Sequence, residues 1–155
     1  MHGKQRTGKV IQSVLAAFLT VLVFRLFFDI VYVSGESMEP VFYEGEILLL
    51  RKWGMPQKGD IVTVYIDERE DIVVKRILAG EGDCITVDDG KIYLNGEKAS
   101  EPVRGIMEGS RKQEYILLPE QYFLIGENLE VSLDSRVFGC IEKRDVNGIV
   151  VCKLF

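Results

Sequence analysis

Few side chains of this protein can do covalent chemistry at neutral pH, and one scarcity narrows the choice at once. His2 is the sole histidine, and it lies on a basic N-terminal tail. A Ser-His-Asp triad and a His-based zinc site are therefore excluded from the rest of the chain. Cys84, Cys140 and Cys152 show no C-x-x-C spacing, and an odd number of cysteines cannot complete a disulfide framework. Buried free thiols are expected, with a Cys140–Cys152 bridge the one pairing left open. What remains is hydroxyl chemistry. Residues 34–40, "SGESMEP", hold Ser37 between Glu36 and Met38 directly after the one long apolar run. A serine hydroxyl is a weak nucleophile until a base sits beside it. Without histidine, that base is a lysine or a carboxylate.

Lys75 stands out because it interrupts "IVVKRIL", a run that otherwise reads as a buried strand. Period-two alternation sends Lys75 and Arg76 to opposite faces, so one of them points toward the interior or a cleft. An ordinary lysine titrates near 10.4, leaving only about 0.1% neutral at pH 7.5. Making it a base means depressing its pKa at a cost of about 3–4 kcal/mol, which burial beside apolar strands can supply. The alternative is an edge-strand lysine with its head in water, discouraging aggregation. A third segment, residues 126–139, reads "GENLEVSLDSRVFG". As a plain loop, its Ser132, Asp134 and Ser135 bond nearby backbone amides. As part of a site, Ser132 would hold the neutral Lys75 amine and aim it at Ser37, while Asp134 and Arg136 pair to brace the loop.

The elements that must position these groups follow from charge and hydropathy. At 155 residues the chain is one domain, or one domain plus an anchor. Residues 10–33, "VIQSVLAAFLTVLVFRLFFDIVYV", would span about 36 Å as a helix, against a hydrocarbon core of roughly 30 Å. Lys4, Arg6 and Lys9 precede this run without an acid, whereas from Ser34 onward 15 Lys/Arg face 23 Asp/Glu. The positive-inside rule then puts residues 1–9 in the cytoplasm, residues 10–33 in the membrane and residues 34–155 outside. Arg25 and Asp29 leave only Val10–Phe24 uninterrupted. Both fit the outer interface, with Arg25 snorkelling and Asp29 four residues on offsetting its charge. A cleaved secretory signal is the competing reading, but no clean A-x-A pattern precedes Ser34, which favours a retained anchor. An acidic domain without basic stripes argues against nucleic-acid partners.

Beyond Pro40 the pattern is β. Residues 46–51, 60–66 and 71–79 are short runs rich in Ile, Val and Leu, separated by Gly/Pro/Asp clusters. Asp89-Gly90 and Asn95-Gly96 are hairpin signals bracketing a strand at Lys91–Leu94. Further strands are expected at Tyr115–Leu118, Tyr122–Ile125 and Gly148–Leu154. Residues 97–113, broken by Pro102 and Gly105, read as a surface loop. The fold class is mainly β: an antiparallel β domain tethered by one N-terminal transmembrane helix, large enough to bury a core without metals or bridges.

In combination these stretches resemble the bacterial type I signal peptidases, membrane-anchored Ser–Lys proteases. The resemblance covers nearly the whole chain: basic tail, anchor, "SGESMEP", "KGDIV", "VVKRILAGEGD" and "GENLEVSLDSRVFG" fall in the family's order. It implies a β domain of signal-peptidase type, with Ser37 as nucleophile and Lys75 as general base. Ser132 matches the serine that orients the lysine, and Asp134 and Arg136 the pair that supports the site. Met38 would help shape the substrate groove. The compact size is similar to the Gram-positive branch, and the lysine base sets it apart from the endoplasmic-reticulum relatives. Gly35 falls where Gram-negative relatives often carry an oxyanion-binding serine, so beside the Ser37 N–H a second donor is left open. Val41, Glu81 and Glu127 replace a usual threonine, proline and aspartate; no reactive group is lost. The implied activity needs no metal or cofactor. Its substrates would be preproteins whose signal peptides carry small residues at positions −1 and −3. The lipid bilayer is an expected partner, with Phe42, Tyr43, Trp53 and Met55 resting on its interface; the same topology admits the secretion translocon. Two other readings compete. An inactive, membrane-anchored assembly factor would lack the nucleophile or base, and Ser37, Lys75 and Ser132 together oppose it. A self-cleaving repressor would need a DNA-binding module, which an anchor and an acidic outer domain do not suit.

Overall fold

The computed structural model of the protein describes residues 2–66, 71–100 and 112–155. Helix α1 runs over His2–Phe27. Its segment Lys9–Phe27 has a mean hydropathy of 2.2, and none of its residues is buried. A long apolar helix that meets the rest of the chain only at its last turn is matched to lipid rather than to a core.

The helix stops before the end of the expected 10–33 span. Residues Phe28–Tyr32 form strand β1, paired antiparallel with β2, Ile47–Arg51, in the register Ile30↔Leu49. The reason lies in "FDIVYV": Ile30, Val31 and Val33 are β-branched and suit a pleated ladder. The run also alternates, with Val33 buried and Val31 packed against the same core while Ile30 and Tyr32 face out. Arg25 and Asp29 do pair across the junction at 3.3 Å, and Lys52 reaches the same carboxylate at 3.0 Å. The Lys52 N–H donates to the Phe27 carbonyl, so the domain's first hairpin hangs from the last turn of α1.

Two antiparallel sheets follow. Besides β1 and β2, the large one contains β3 (Ile61–Ile66), β4 (Asp71–Ala79), β9 (Gln121–Ile125), β10 (Ile141–Glu142) and β11 (Val146–Lys153), in the order β1-β2-β11-β3-β4-β9-β10. The small one takes the order β7-β6-β5-β8, from β5 (Cys84–Asp88), β6 (Lys91–Leu94), β7 (Glu97–Lys98) and β8 (Gln113–Ile116). Both expected hairpin turns are present. Asp89-Gly90 and Asn95-Gly96 take φ of 46° and 71°, and 53° and 85°, the left-handed pair that two-residue hairpins favour. Most of the loop expected over 97–113 lies outside the described residues; its two ends are strands β7 and β8.

Three apolar clusters hold the sheets. Val62, Val64, Ile77, Leu124 and Ile149 centre the large sheet, and Ile85, Val87, Ile92, Leu117 and Phe123 join the small sheet to it. Val33, Met38, Leu48 and Val74 form the third, directly beneath the "SGESMEP" turn. All three cysteines are free, but the expected burial is partial: Cys84 and Cys140 are half-buried and Cys152 is exposed. Cys140 packs against the edge of the second cluster, while Cys84 and Cys152 sit on strands near the surface.

Candidate active site

Ser37 is fixed from below. Its neighbour Met38 is 1% exposed and packs with Val33, Leu48 and Val74. The chain then folds back on itself, with the Phe42 N–H donating to the Met38 carbonyl at 2.8 Å. Gly35 takes φ +80°, which lets the chain leave β1 and bring the serine round to face the sheet.

Lys75 comes to meet it from the middle of β4, opposite Val62 of β3. Alternation acts here as the sequence suggests. Arg76 points away and grips the Glu127 carboxylate and the Gly59 carbonyl, while Lys75 turns inward and is only 3% exposed. Its Nζ lies 2.6 Å from Ser37 Oγ. Residues 38 apart in sequence are thus in hydrogen-bonding contact, in a position where water has little access to the amine.

The 126–139 segment closes the site from the third side. The Asn128 N–H donates to the Ser37 carbonyl at 3.1 Å. Gly126 must be glycine: a Cβ there would lie 2.2 Å from Ser132 Oγ and 2.6 Å from the Ser37 carbonyl oxygen. Asp134 caps a single helical turn, α2 (Ser135–Phe138), accepts from the Gly126 N–H at 3.0 Å, and receives Arg136 through Nε at 2.7 Å and a terminal nitrogen at 2.9 Å. That same nitrogen of Arg136 donates to the carbonyls of Leu129 and Ser132. Asp134 and Arg136 are both buried, and the forked geometry pairs two charges that would be costly apart, while the other terminal nitrogen of Arg136 has no partner among the described residues. Their pairing, expected from sequence, ties Gly126, Leu129 and Ser132 into one rigid loop.

One expectation is not met. Ser132 was to bond the Lys75 amine, but its Oγ, fully buried, has no hydrogen-bond partner among the described residues. The hydroxyl rests against the Gly126 backbone, and the lysine nitrogen is drawn to Ser37 instead. Sequence reasoning also passed over Gly126, Asn128 and the Arg76–Glu127 pair. The signal for the last was available: the residue beside Lys75 must face the other way, and Glu127 adjoins the glycine of the same motif.

Around Ser37 and Lys75 lies a cleft of about 370 Å³, walled by Val73, Val131 and Leu133 and edged by Glu36, Glu44 and Asp71, with Gly35 at its floor. A second hollow of about 160 Å³ shares Ser34, Ser37 and Lys75 with it and is lined by Val33, Met38, Ile72 and Val74. Met38 therefore serves the core and the groove together. Trp53 packs edge-on against Phe27 and Phe28 at the head of α1, and Tyr43 and Met55 are exposed, whereas Phe42 is half-buried against the third cluster. Among the described residues no cluster of metal-ligating side chains occurs.

The chain as a whole has counterparts among characterised proteins. The family profile described as "Signal peptidase, peptidase S26" matches residues 6–155. A signal peptidase I of Bacillus licheniformis is 33% identical over 152 residues, covering 87% of this chain and 81% of the relative. A signal peptidase IB of Staphylococcus aureus (strain N315) is 29% identical over 161 residues, covering 89% and 84%. A crystal structure of a signal peptidase I from Enterococcus faecalis V583 aligns with TM-score 0.48 and 24% identity, over 63% of this chain and 98% of that one. With a family match running from the basic tail to the last residue, this chain belongs to the signal peptidase family, peptidase S26, as a membrane-anchored serine endopeptidase that removes signal peptides from secreted preproteins.

Proposed function

We propose that Ser37 is the nucleophile of this peptidase and Lys75 its general base. The observation that carries the reading is the 2.6 Å contact between Lys75 Nζ and Ser37 Oγ at a lysine only 3% exposed. Burial at that depth works against a positive charge on the amine and favours the form that can take a proton. The neutral amine removes the Ser37 proton as Oγ attacks the scissile carbonyl, forming the tetrahedral oxyanion. The Ser37 N–H, on the turn that Gly35 makes possible, is the first donor to that oxygen. The ammonium then protonates the leaving amine, which departs as the mature protein. Water deprotonated by the same lysine releases the signal peptide from the serine ester.

Ser132 acts as a positioning residue. A buried hydroxyl without a partner is costly, and its place beside Gly126, two residues before the Asn128 that holds the Ser37 carbonyl, suits it to hold the amine while Ser37 carries the acyl group. Asp134 and Arg136 keep that hydroxyl and the loop in register. The substrate lies extended along the cleft. Small residues at −1 and −3 enter the two hollows, against the apolar walls at Val73, Met38 and Val74. The basic tail faces the cytoplasm, and the β domain, which begins at β1, lies outside against the bilayer's outer face, beside the emerging preprotein and the translocon that delivers it. Trp53 and Phe27 support that placement, since aromatic side chains favour the interface.

The test is cleavage of a preprotein in detergent by the wild type, Ser37→Ala and Lys75→Ala. Only the wild type should turn over, with Lys75→Ala reduced by about 10²–10⁴-fold or more, and chelators should have no effect. Normal turnover by the Ser37→Ala protein rejects the assignment.

A further inference from the structure

Where α1 meets the β domain, two depressions of opposite character share one wall. The first is a cleft of about 180 Å³ lined by Arg51, Lys52 and Lys143, with no carboxylate among its lining residues. The second is a hollow of about 560 Å³ along the helix, lined by Val23, Phe24, Phe27 and Phe28. Thr20, which also lines it, turns its hydroxyl back to the Ala16 carbonyl at 2.9 Å. Trp53 lines both.

The cations of the cleft are held in place. Arg51 donates to the Trp53 carbonyl at 2.7 Å, and its guanidinium lies 2.2 Å from where a Gly54 Cβ would stand, so the 53–54 turn is moulded around it. Lys52 is anchored to the Arg25 carbonyl and to Asp29. Lys143 is steadied by Glu120 at 2.9 Å. The balancing acids, Asp29, Asp60 and Glu120, all lie outside the lining. Because the Lys52 N–H caps the Phe27 carbonyl, the cationic cleft sits at the level where the apolar helix ends.

We propose that the two depressions form one site for a single anionic glycerophospholipid, its phosphate in the Arg51–Lys52–Lys143 cleft and an acyl chain in the hollow beside Phe24 and Phe27. The charge of the cleft, the apolarity of the hollow and their common Trp53 wall match the two ends of such a molecule. This inference rests on the reading of α1 as a membrane anchor.

Trp53 is the sole tryptophan of the chain, so its fluorescence reports the site directly. The full chain is reconstituted in phosphatidylcholine vesicles, and brominated-chain phosphatidylglycerol is compared with brominated-chain phosphatidylcholine as quencher. Half-maximal quenching should need about five-fold less of the anionic lipid, the scale of one cation's attraction to it. Lys143→Gln should lower that preference, and Lys52→Gln with Lys143→Gln should remove it, with cleavage of a soluble peptide unchanged. Lys58→Gln, an equal loss of charge away from the cleft, should leave it intact. Equal quenching by the two lipids overturns the proposal, as does a preference that survives in the double variant. A loss in Lys58→Gln matching that in Lys143→Gln would mean diffuse attraction and no site. Excess inorganic phosphate should not erase the preference; if it does, the cleft binds free phosphate and the lipid assignment is wrong. No quenching by either lipid would instead overturn the anchor reading itself.

Discussion

The two sheets treat their polar residues in opposite ways. On the small sheet, polar groups gather at the turns and are satisfied near the surface. Asp83 accepts from the Asn95 side chain at 2.7 Å and from the Gly80 N–H at 3.1 Å, with Lys58 nearby. Beside the large sheet they are taken inside. Lys75 of β4 and Ser132, Asp134, Ser135 and Arg136 of the segment that follows β9 are all buried, and Ser132 Oγ has no partner among the described residues. The first arrangement shapes a loop. The second stores chemistry, because amines and hydroxyls removed from water are held in one geometry and in a less charged form.

If that contrast is right, its largest break comes at Arg136. Arg136→Met leaves Asp134 buried and unpaired, and should destabilise the fold by about 3–5 kcal/mol, read as a lower midpoint in chemical denaturation. Peptidase activity should fall with it, since the same guanidinium holds the Leu129 and Ser132 carbonyls.

Ser132→Ala sharpens the comparison, because function and stability should move apart. Deleting an unsatisfied buried hydroxyl should leave stability unchanged or slightly raised, while loss of an aimed amine should slow cleavage by about 10²-fold. Thermal melts alongside kcat distinguish this from a merely structural serine, whose loss would lower both.

The smallest effect belongs to the small sheet. Burial pushes the Asp83 carboxyl up, but its bonds from Asn95 and Gly80 and the nearby Lys58 outweigh this and hold it below its usual value. A depressed carboxylate contributes stability that is fully present above the ordinary range near about 4 and lost as the pH falls from there through its own lower value in the folded protein. Asp83→Asn should therefore cost about 1 kcal/mol at neutral pH, less in acid, with kcat untouched. A change in kcat would show that the two sheets are not separable in function.

Much of this was legible in the sequence where one pattern interrupts another. Lys75 was visible because it breaks an apolar strand, and its inward turn follows from Arg76 needing the other face. The hairpins at Asp89-Gly90 and Asn95-Gly96 were legible because few residues accept a left-handed φ. The boundary between anchor and domain was not, since "FDIVYV" is apolar enough for a membrane and β-branched enough for a sheet; pairing with Ile47–Arg51 decides it. Gly126 and the orphaned Ser132 hydroxyl were hidden for another reason. Their roles depend on a close approach between residues 126, 132 and 37 that no local pattern encodes.

The most direct test of the Ser37–Lys75 account is the pH dependence of single-turnover preprotein cleavage. A base works only when deprotonated, so the wild-type rate should climb with pH and level off once the Lys75 amine is neutral, and Lys75→Ala should lose that limb along with its activity. A Lys75→Ala protein that cleaves with the wild-type profile would contradict the account outright.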